Sequence, residues 1–196
     1  MSDRRLDVLF VNPNSSRKVY QGLAPDFSAI EVPVWSLLLA NSCRSRGFGA
    51  AILDCDAERL DCLQAVSRII SADPRLVCFV VYGQNPNSGT TNMAGAVEAL
   101  DLLVKHAPYL KVCFAGSHTQ ALPLEVLGMR GVDFVLTNEG AYALQDLLYH
   151  NLEDYDGHPE ILGLGWKERD ETPHLNGPGQ VVPQNRLHLD LPGYAW

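Results

Sequence analysis

Apolar residues in this chain fall into short, nearly continuous runs, separated by longer stretches in which they recur at every third or fourth position. Five runs have strand length and β-branched or aromatic content: 6–11, 50–54, 76–81, 110–115 and 132–137. Several are hydrophobic almost throughout, as strands covered on both faces are. The stretches between them read as helices. Residues 34–46 carry Leu37, Leu38 and Leu39 and stop at Gly47. Leu60, Leu63, Val66, Ile69 and Ile70 form one stripe, and Met93, Val97, Leu100 and Val104 another. A short helix over 122–129 admits Pro123 in its first turn, and 141–151 carries Leu144, Leu147 and Leu148.

Strand alternating with helix predicts an α/β fold. Right-handed crossovers make it a doubly wound, flavodoxin-like (Rossmann-like) parallel sheet of five strands in the order 2-1-3-4-5. Ligands of such sheets bind beyond the carboxyl ends of the strands, near the switch point between strands one and three. After about residue 156 the character changes. Gly157-His158-Pro159, Pro173 and Gly177-Pro178-Gly179 punctuate two runs, 161–168 and 180–189, which predict a C-terminal β-hairpin appendage. The expected division is an α/β domain over 1–156 and a hairpin with a linker over 157–196. The last segment, 189–196, is apolar without helical pattern and is expected to lead into, or lie against, a further domain.

Composition narrows the ligand. The 196 residues are 46 % hydrophobic, enough for one packed domain, and carry a formal net charge of −8. No run of Lys and Arg exceeds the pair Arg4-Arg5, so neither nucleic acid nor an anionic membrane is an expected partner. No apolar run is long enough for a membrane helix, and the first residues carry no secretory leader pattern. Cys43, Cys55, Cys62, Cys78 and Cys113 are odd in number and lack C-x-x-C spacing, as reduced thiols of a cytoplasmic protein would.

The candidate chemistry lies where strands give way to helices. The first such loop runs from Asn12-Pro13-Asn14-Ser15-Ser16 to Pro33 and contains Tyr20, Phe27 and Ile30. At that length it is read as a flap over a flat ligand, against an ordinary surface Ω-loop. The second, Asp54-Cys55-Asp56-Ala57-Glu58, offers a cap for the next helix. It lacks a third ligand for a metal. The third, from Tyr82-Gly83-Gln84-Asn85 to Asn92, is dense in amides and hydroxyls suited to a neutral, amide-rich ligand or a phosphate. In the fourth, Gly116 and Ser117 remove bulk beside the backbone, and His118 is read as a wall residue rather than a metal ligand. The fifth supplies Asn138, Glu139 and Gly140, with Glu139 placed to cap a helix or to accept hydrogen bonds from a ligand. No G-x-x-x-x-G-K-[ST] loop, no G-x-G-x-x-G fingerprint, no receiver-type acidic pair and no convincing nucleophile–base pair occurs.

Taken in order, several segments resemble the N-terminal cobalamin (B12)-binding domain of B12-dependent (class B) radical SAM enzymes. These are Val8-Leu-Phe-Val-Asn-Pro13, Val34-Trp-Ser-Leu-Leu-Leu-Ala40 with Cys43-Arg-Ser-Arg-Gly-Phe48, and Ile52-Leu-Asp54. Ala115-Gly-Ser-His-Thr-Gln-Ala-Leu-Pro123 is similar to that family's Gly-Gly-Pro-His-x-x-x-x-Pro. Val132-Asp-Phe-Val-Leu-Thr-Asn-Glu-Gly140 is similar to its Asp-x-Val-x-x-Gly-Glu-Gly. Ile161-Leu-Gly-Leu-Gly-Trp166 and Leu189-Asp-Leu-Pro192 match its hairpin and exit. Ala115, Ser117 and Asn138 stand where the family pattern has Gly, Pro and Gly.

The resemblance implies a cobalamin-binding module, not catalytic alone, of a radical SAM enzyme that is expected to be a methyltransferase. C-x-x-x-C-x-x-C is absent, so the 4Fe-4S cluster and S-adenosylmethionine are assigned to a barrel domain outside this chain, in the same polypeptide or in trans. Asp-x-His-x-x-Gly is absent too, so the cofactor is expected base-off with no His ligand. Its nucleotide tail is placed along the third, fourth and fifth rims and its corrin over the loops after strands one and three. The expected contacts are Asn12, Pro13, Asn14, Ser15, Tyr82, Gly83, Gln84, Asn85, Gly116, Ser117, His118, Asn138, Glu139 and Gly140, with no metal ligands and no catalytic residues. The competing reading is a flavodoxin-like nucleotide-binding or regulatory module without B12.

Overall fold

A computed structural model describes residues 5–21, 30–82, 86–153, 155–156 and 158–193. Strands β1 (Val8–Asn12), β2 (Ala50–Asp54), β3 (Leu76–Val81), β4 (Lys111–Gly116) and β5 (Phe134–Leu136) run parallel in the order 2-1-3-4-5. That is the predicted order, and β2 and β3 have the predicted bounds. β1 and β4 end one residue later than their apolar runs, and β5 is shorter than its run. The hairpin, expected as an appendage, instead continues the same sheet. β6 (Leu164–Lys167) pairs antiparallel with β5, and β7 (Pro173–Leu175) with β6, giving seven strands. Its second strand is therefore not the run 180–189. That run holds a 3-10 turn (Gln184–Arg186) and a short helix at Leu187–Asp190. Pro173 is tolerated because β7 is the edge strand, where a missing N–H leaves no ladder bond broken.

Helices are α1 (Ser16–Tyr20), α2 (Val34–Ser45), α3 (Cys62–Ala72), α4 (Pro86–His106), α5 (Ser117–Ala121), α6 (Pro123–Leu127), α7 (Ala141–Tyr149) and α8 (Leu187–Asp190). Alternating strand residues face opposite layers. Phe10, Cys78, Val80, Cys113 and Leu136 pack with Leu39 of α2 and Leu144, Leu147 and Leu148 of α7. Val11, Phe79, Val81, Phe114 and Val135 pack with Val66 and Ile69 of α3, Leu100 and Leu103 of α4, and Val126 and Leu127 of α6. Within that second layer Phe79 and Phe114 stack at 5.0 Å. Every residue of β3 is buried, which explains its uninterrupted hydrophobicity.

Local sequence sets the helix ends. Gly47, at φ +85°, terminates α2, with Phe48 N donating to Cys43 O at 3.1 Å. The cap of α3 is Asp61 rather than Asp54 or Asp56. Gln64 N donates to Asp61 Oδ1 at 2.8 Å, and Asp61 N donates to Gln64 Oε1 at 3.0 Å. Asp54 instead ties the β2 end to its neighbour, accepting from Asn12 Nδ2 at 2.8 Å and from Ala57 N at 3.1 Å. Among the described residues no helix is long and apolar enough to cross a membrane.

The C-terminal residues lie back across α2 and α7. Asp190, 2 % exposed, accepts from Arg186 at 2.5 and 3.0 Å, from Tyr142 Oη at 2.7 Å and from Arg46 at 3.1 Å. Its backbone carbonyl accepts from Ser42 Oγ, which also accepts from Gln145 Nε2 at 2.6 Å. The Arg186 and Tyr142 bonds hold the Asp190 carboxyl at about 2, below its ordinary 3.8.

Candidate functional site

The carboxyl ends of β1, β3, β4 and β5 form one rim, and the side chains there divide into those the protein itself engages and those it leaves open. At β1 most are engaged. Asn12 is bonded to Asp54 as above. Asn14 Oδ1 accepts from Ser16 N at 3.0 Å and Ser16 Oγ at 2.6 Å, while Asn14 Nδ2 donates to Leu60 O at 3.3 Å. Ser15 is buried, donates to Asn92 O at 2.6 Å and accepts from Gly95 N at 3.2 Å. A Cβ on Gly95 would stand 2.5 Å from Asn14 O, so that glycine lets α4 press against the β1 turn. Pro13 is half-buried between these residues. The expected long flap is in part helix α1; Phe27 and the Tyr20 side chain lie outside the described residues, and Ile30 is exposed.

At β3, Tyr82 is half-buried and stacks on Trp35 of α2, with ring centroids 5.2 Å apart. Burial pushes its phenol up to about 12, so it stays a neutral O–H at any working pH. Asn92 Nδ2 donates to the Tyr82 carbonyl at 3.1 Å. Gly83, Gln84 and Asn85 lie outside the described residues. The polar stretch that follows is not a loop, because α4 begins at Pro86. Proline at a first helical position was the available signal.

At β4 the backbone makes its closest approach. Gly116 has φ +145°, and a Cβ there would strike the carbonyl of Val81. A Cβ on Gly89 of α4 would likewise strike Ser117 Oγ. Two buried hydroxyls in α5 have no hydrogen-bond partner among the described residues, Ser117 Oγ and Thr119 Oγ1. His118 is held in place, its Nδ1 3.1 Å from Thr90 Oγ1 and its Nε2 3.9 Å from Glu125.

At β5 the polar groups are taken up again, by residues 163 and 177–182. Thr137 N and Thr137 Oγ1 both donate to Gly163 O, at 2.9 and 3.1 Å. Asn138, at φ +54°, donates from Nδ2 to Gly179 O at 2.6 Å and accepts from Gln120 Nε2 at 3.4 Å. Glu139 Oε2 accepts from Val182 N at 2.6 Å. Gly140, at φ +73°, begins α7. Glu139 therefore receives the C-terminal segment and does not cap α7.

The predicted residues thus share one rim, apart from those outside the described residues. Trp35, Gly89, Thr90 and Thr119 lie in segments that the sequence singled out but not in the expected contact set, and Gly95 was missed altogether. Glycines inside a helical stretch were the signal for Gly89 and Gly95, since they are costly there without a packing reason. Among the described residues no group of three or more His, Cys, Asp or Glu is placed to hold a metal ion.

Chemically, the β4 end is a shelf of glycine-lined backbone and small side chains with buried hydroxyls, suited to the polar edge of a large ligand. The model of one protein family, described as the B12 binding domain, matches residues 23–148. The chain belongs to the B12-binding domain family. A search of the curated proteins gives no match. Among solved structures, this B12-binding domain is similar to the radical S-adenosylmethionine methyltransferase TsrM from Kitasatospora setae, determined with tryptophan substrate and a SAM analogue. The TM-score is 0.62 at 18 % identity, covering 90 % of this chain and 31 % of that one. It is also similar to the cobalamin-dependent S-adenosylmethionine radical enzyme OxsB with aqua-cobalamin bound, at TM-score 0.65 and 16 % identity, covering 90 % and 23 %. The chain therefore spans 31 % and 23 % of those two proteins, and the likeness to them is one of fold.

Proposed function

We propose that this B12-binding domain is the cobalamin-binding module of a B12-dependent radical SAM methyltransferase. The observation that carries the reading is the β4 shelf: Gly116 and Gly89 keep it low, and the buried hydroxyls of Ser117 and Thr119 have no partner among the described residues. Buried hydroxyls left unbonded cost free energy unless a ligand completes them, so the shelf fits a polar nucleotide tail. Ser117 and Thr119 would bond that tail, and Trp35 with Tyr82 would supply an aromatic wall beside it. His118, held by Thr90, keeps its place in the shelf wall, in accord with a base-off cofactor and no His ligand. Residues 12–33 contain no histidine at all. Once bound, cobalamin would supply the methyl-carrying chemistry. The protein's part is to grip and orient it. The iron–sulfur cluster and S-adenosylmethionine belong to a radical SAM barrel, in the same polypeptide or in trans, and the setting is the cytoplasm. Support comes from the family match and from the two fold neighbours, one a methyltransferase and the other holding aqua-cobalamin.

Mixing the purified chain with hydroxocobalamin and desalting tests this directly. The expected result is one corrinoid co-eluting per chain, whose reduced Co(II) form shows no nitrogen splitting in its paramagnetic resonance spectrum. A colourless protein fraction would sink the reading. Nitrogen splitting would overturn the base-off assignment alone.

A further inference from the structure

We infer that residues 177–182 form a strap walling the nucleotide-tail side of the shelf, and that Asn138 and Glu139 are the positioning residues that hold it. The inference rests on the cobalamin reading above. Three consecutive residues at the end of β5 grip the strap and its neighbour: Thr137 through Gly163, Asn138 through Gly179 and Glu139 through Val182. Gly163 N donates to Gly177 O at 2.8 Å, and a Cβ on Gly163 would stand 2.8 Å from the Gly179 Cα, so the two backbones lie in contact. Val182 is buried in the same core cluster as Leu136 and Ala141, which pins the far end of the strap by packing as well.

The strap is also tied to the shelf itself. The Asn138 amide is bonded on one side to Gly179 and on the other to Gln120, in the same short helix as Ser117 and Thr119. The strap is thereby joined, through Asn138 and Gln120, to the helix that carries those hydroxyls. The electrostatics agree. Glu139, turned to the Val182 N–H in a charge-assisted bond, keeps its carboxylate at the strap, and a carboxylate there steers a phosphodiester away from the β5 end. Strap and carboxylate together limit the β5 side, leaving the tail the space at β3 and β4.

Two corrinoids separate a wall for the tail from a merely structural contact: hydroxocobalamin, and cobinamide, which has the same corrin without the nucleotide. Titrations would compare the full chain with Glu139→Ala and with Glu139→Gln, which keeps an acceptor oxygen. Glu139→Ala is expected to weaken cobalamin about tenfold while shifting cobinamide by less than about twofold, the scale of one charge-assisted hydrogen bond felt by one ligand only. Glu139→Gln should recover most of the loss, and the Val182 amide should exchange faster in the alanine variant alone. Equal weakening of both corrinoids, or of neither, overturns the strap while leaving the functional reading in place. Failure of the unaltered chain to retain hydroxocobalamin overturns both.

Discussion

The ends of β4 and β5 lie side by side and carry similar wording, a small or polar turn followed by a helix, yet they use their polar groups in opposite ways. At β4, the buried hydroxyls of Ser117 and Thr119 have no hydrogen-bond partner among the described residues. At β5, Thr137, Asn138 and Glu139 each bond a segment of the same chain. A buried hydroxyl without a protein partner calls for water or a ligand to complete it, whereas a satisfied one marks structure already complete. The rim is therefore two surfaces: at β5 its polar groups brace the fold, and at β4 two buried hydroxyls have no partner among the described residues.

The largest effect should come from Gly116. At φ +145° with Val81 O where a Cβ would go, Gly116→Val forces the backbone and opens the β3–β4 pairing. Urea unfolding should show a loss of about 3 kcal/mol or more. A variant of unchanged stability would mean that this glycine serves the ligand alone. Acid comes next. Because the Asp190 carboxyl sits at about 2 in the fold against an ordinary 3.8, its contribution is complete above the ordinary value and drains as pH falls toward the lower one. Proteolysis between pH 4 and pH 2 should therefore cut the C-terminal segment before the sheet unfolds; simultaneous loss of both would break the distinction between shelf and brace. Smaller still, Thr137→Val should cost about 1 kcal/mol by deleting its bond to Gly163. Ser117→Ala should leave the stability of the free protein within about 0.5 kcal/mol, since it deletes no bond, while speeding corrinoid release. If Ser117→Ala destabilised the free chain as much as Thr137→Val did, the comparison would fail.

Much of this architecture was legible because it rests on local signals. Each parallel strand is an apolar run with a turn after it, and Gly47 stops its helix by a backbone conformation that glycine supplies cheaply. The hairpin partner was misread for the opposite reason. Val181, Val182, Leu187 and Leu189 count as apolar, but a strand needs an open edge in register. The edge of β6 takes Pro173–Leu175 instead. At the site, the rim residues were legible as a set but their division was not. Nothing local says that Glu139 meets Val182, 43 positions later, while Ser117 Oγ meets no partner among the described residues. That split is decided by where the C-terminal segment returns.

Strand β1 has both of its sheet neighbours, β2 and β3, later in the chain. As the polypeptide emerges during synthesis, Val8–Asn12 leaves first and waits for β2, then for β3, before its ladder is closed on both sides. Its four leading residues are among the most buried in the finished fold. Until residues 76–81 follow, the apolar β1 segment lacks one of its two ladders, and an unpaired apolar strand edge is a template for association with other chains.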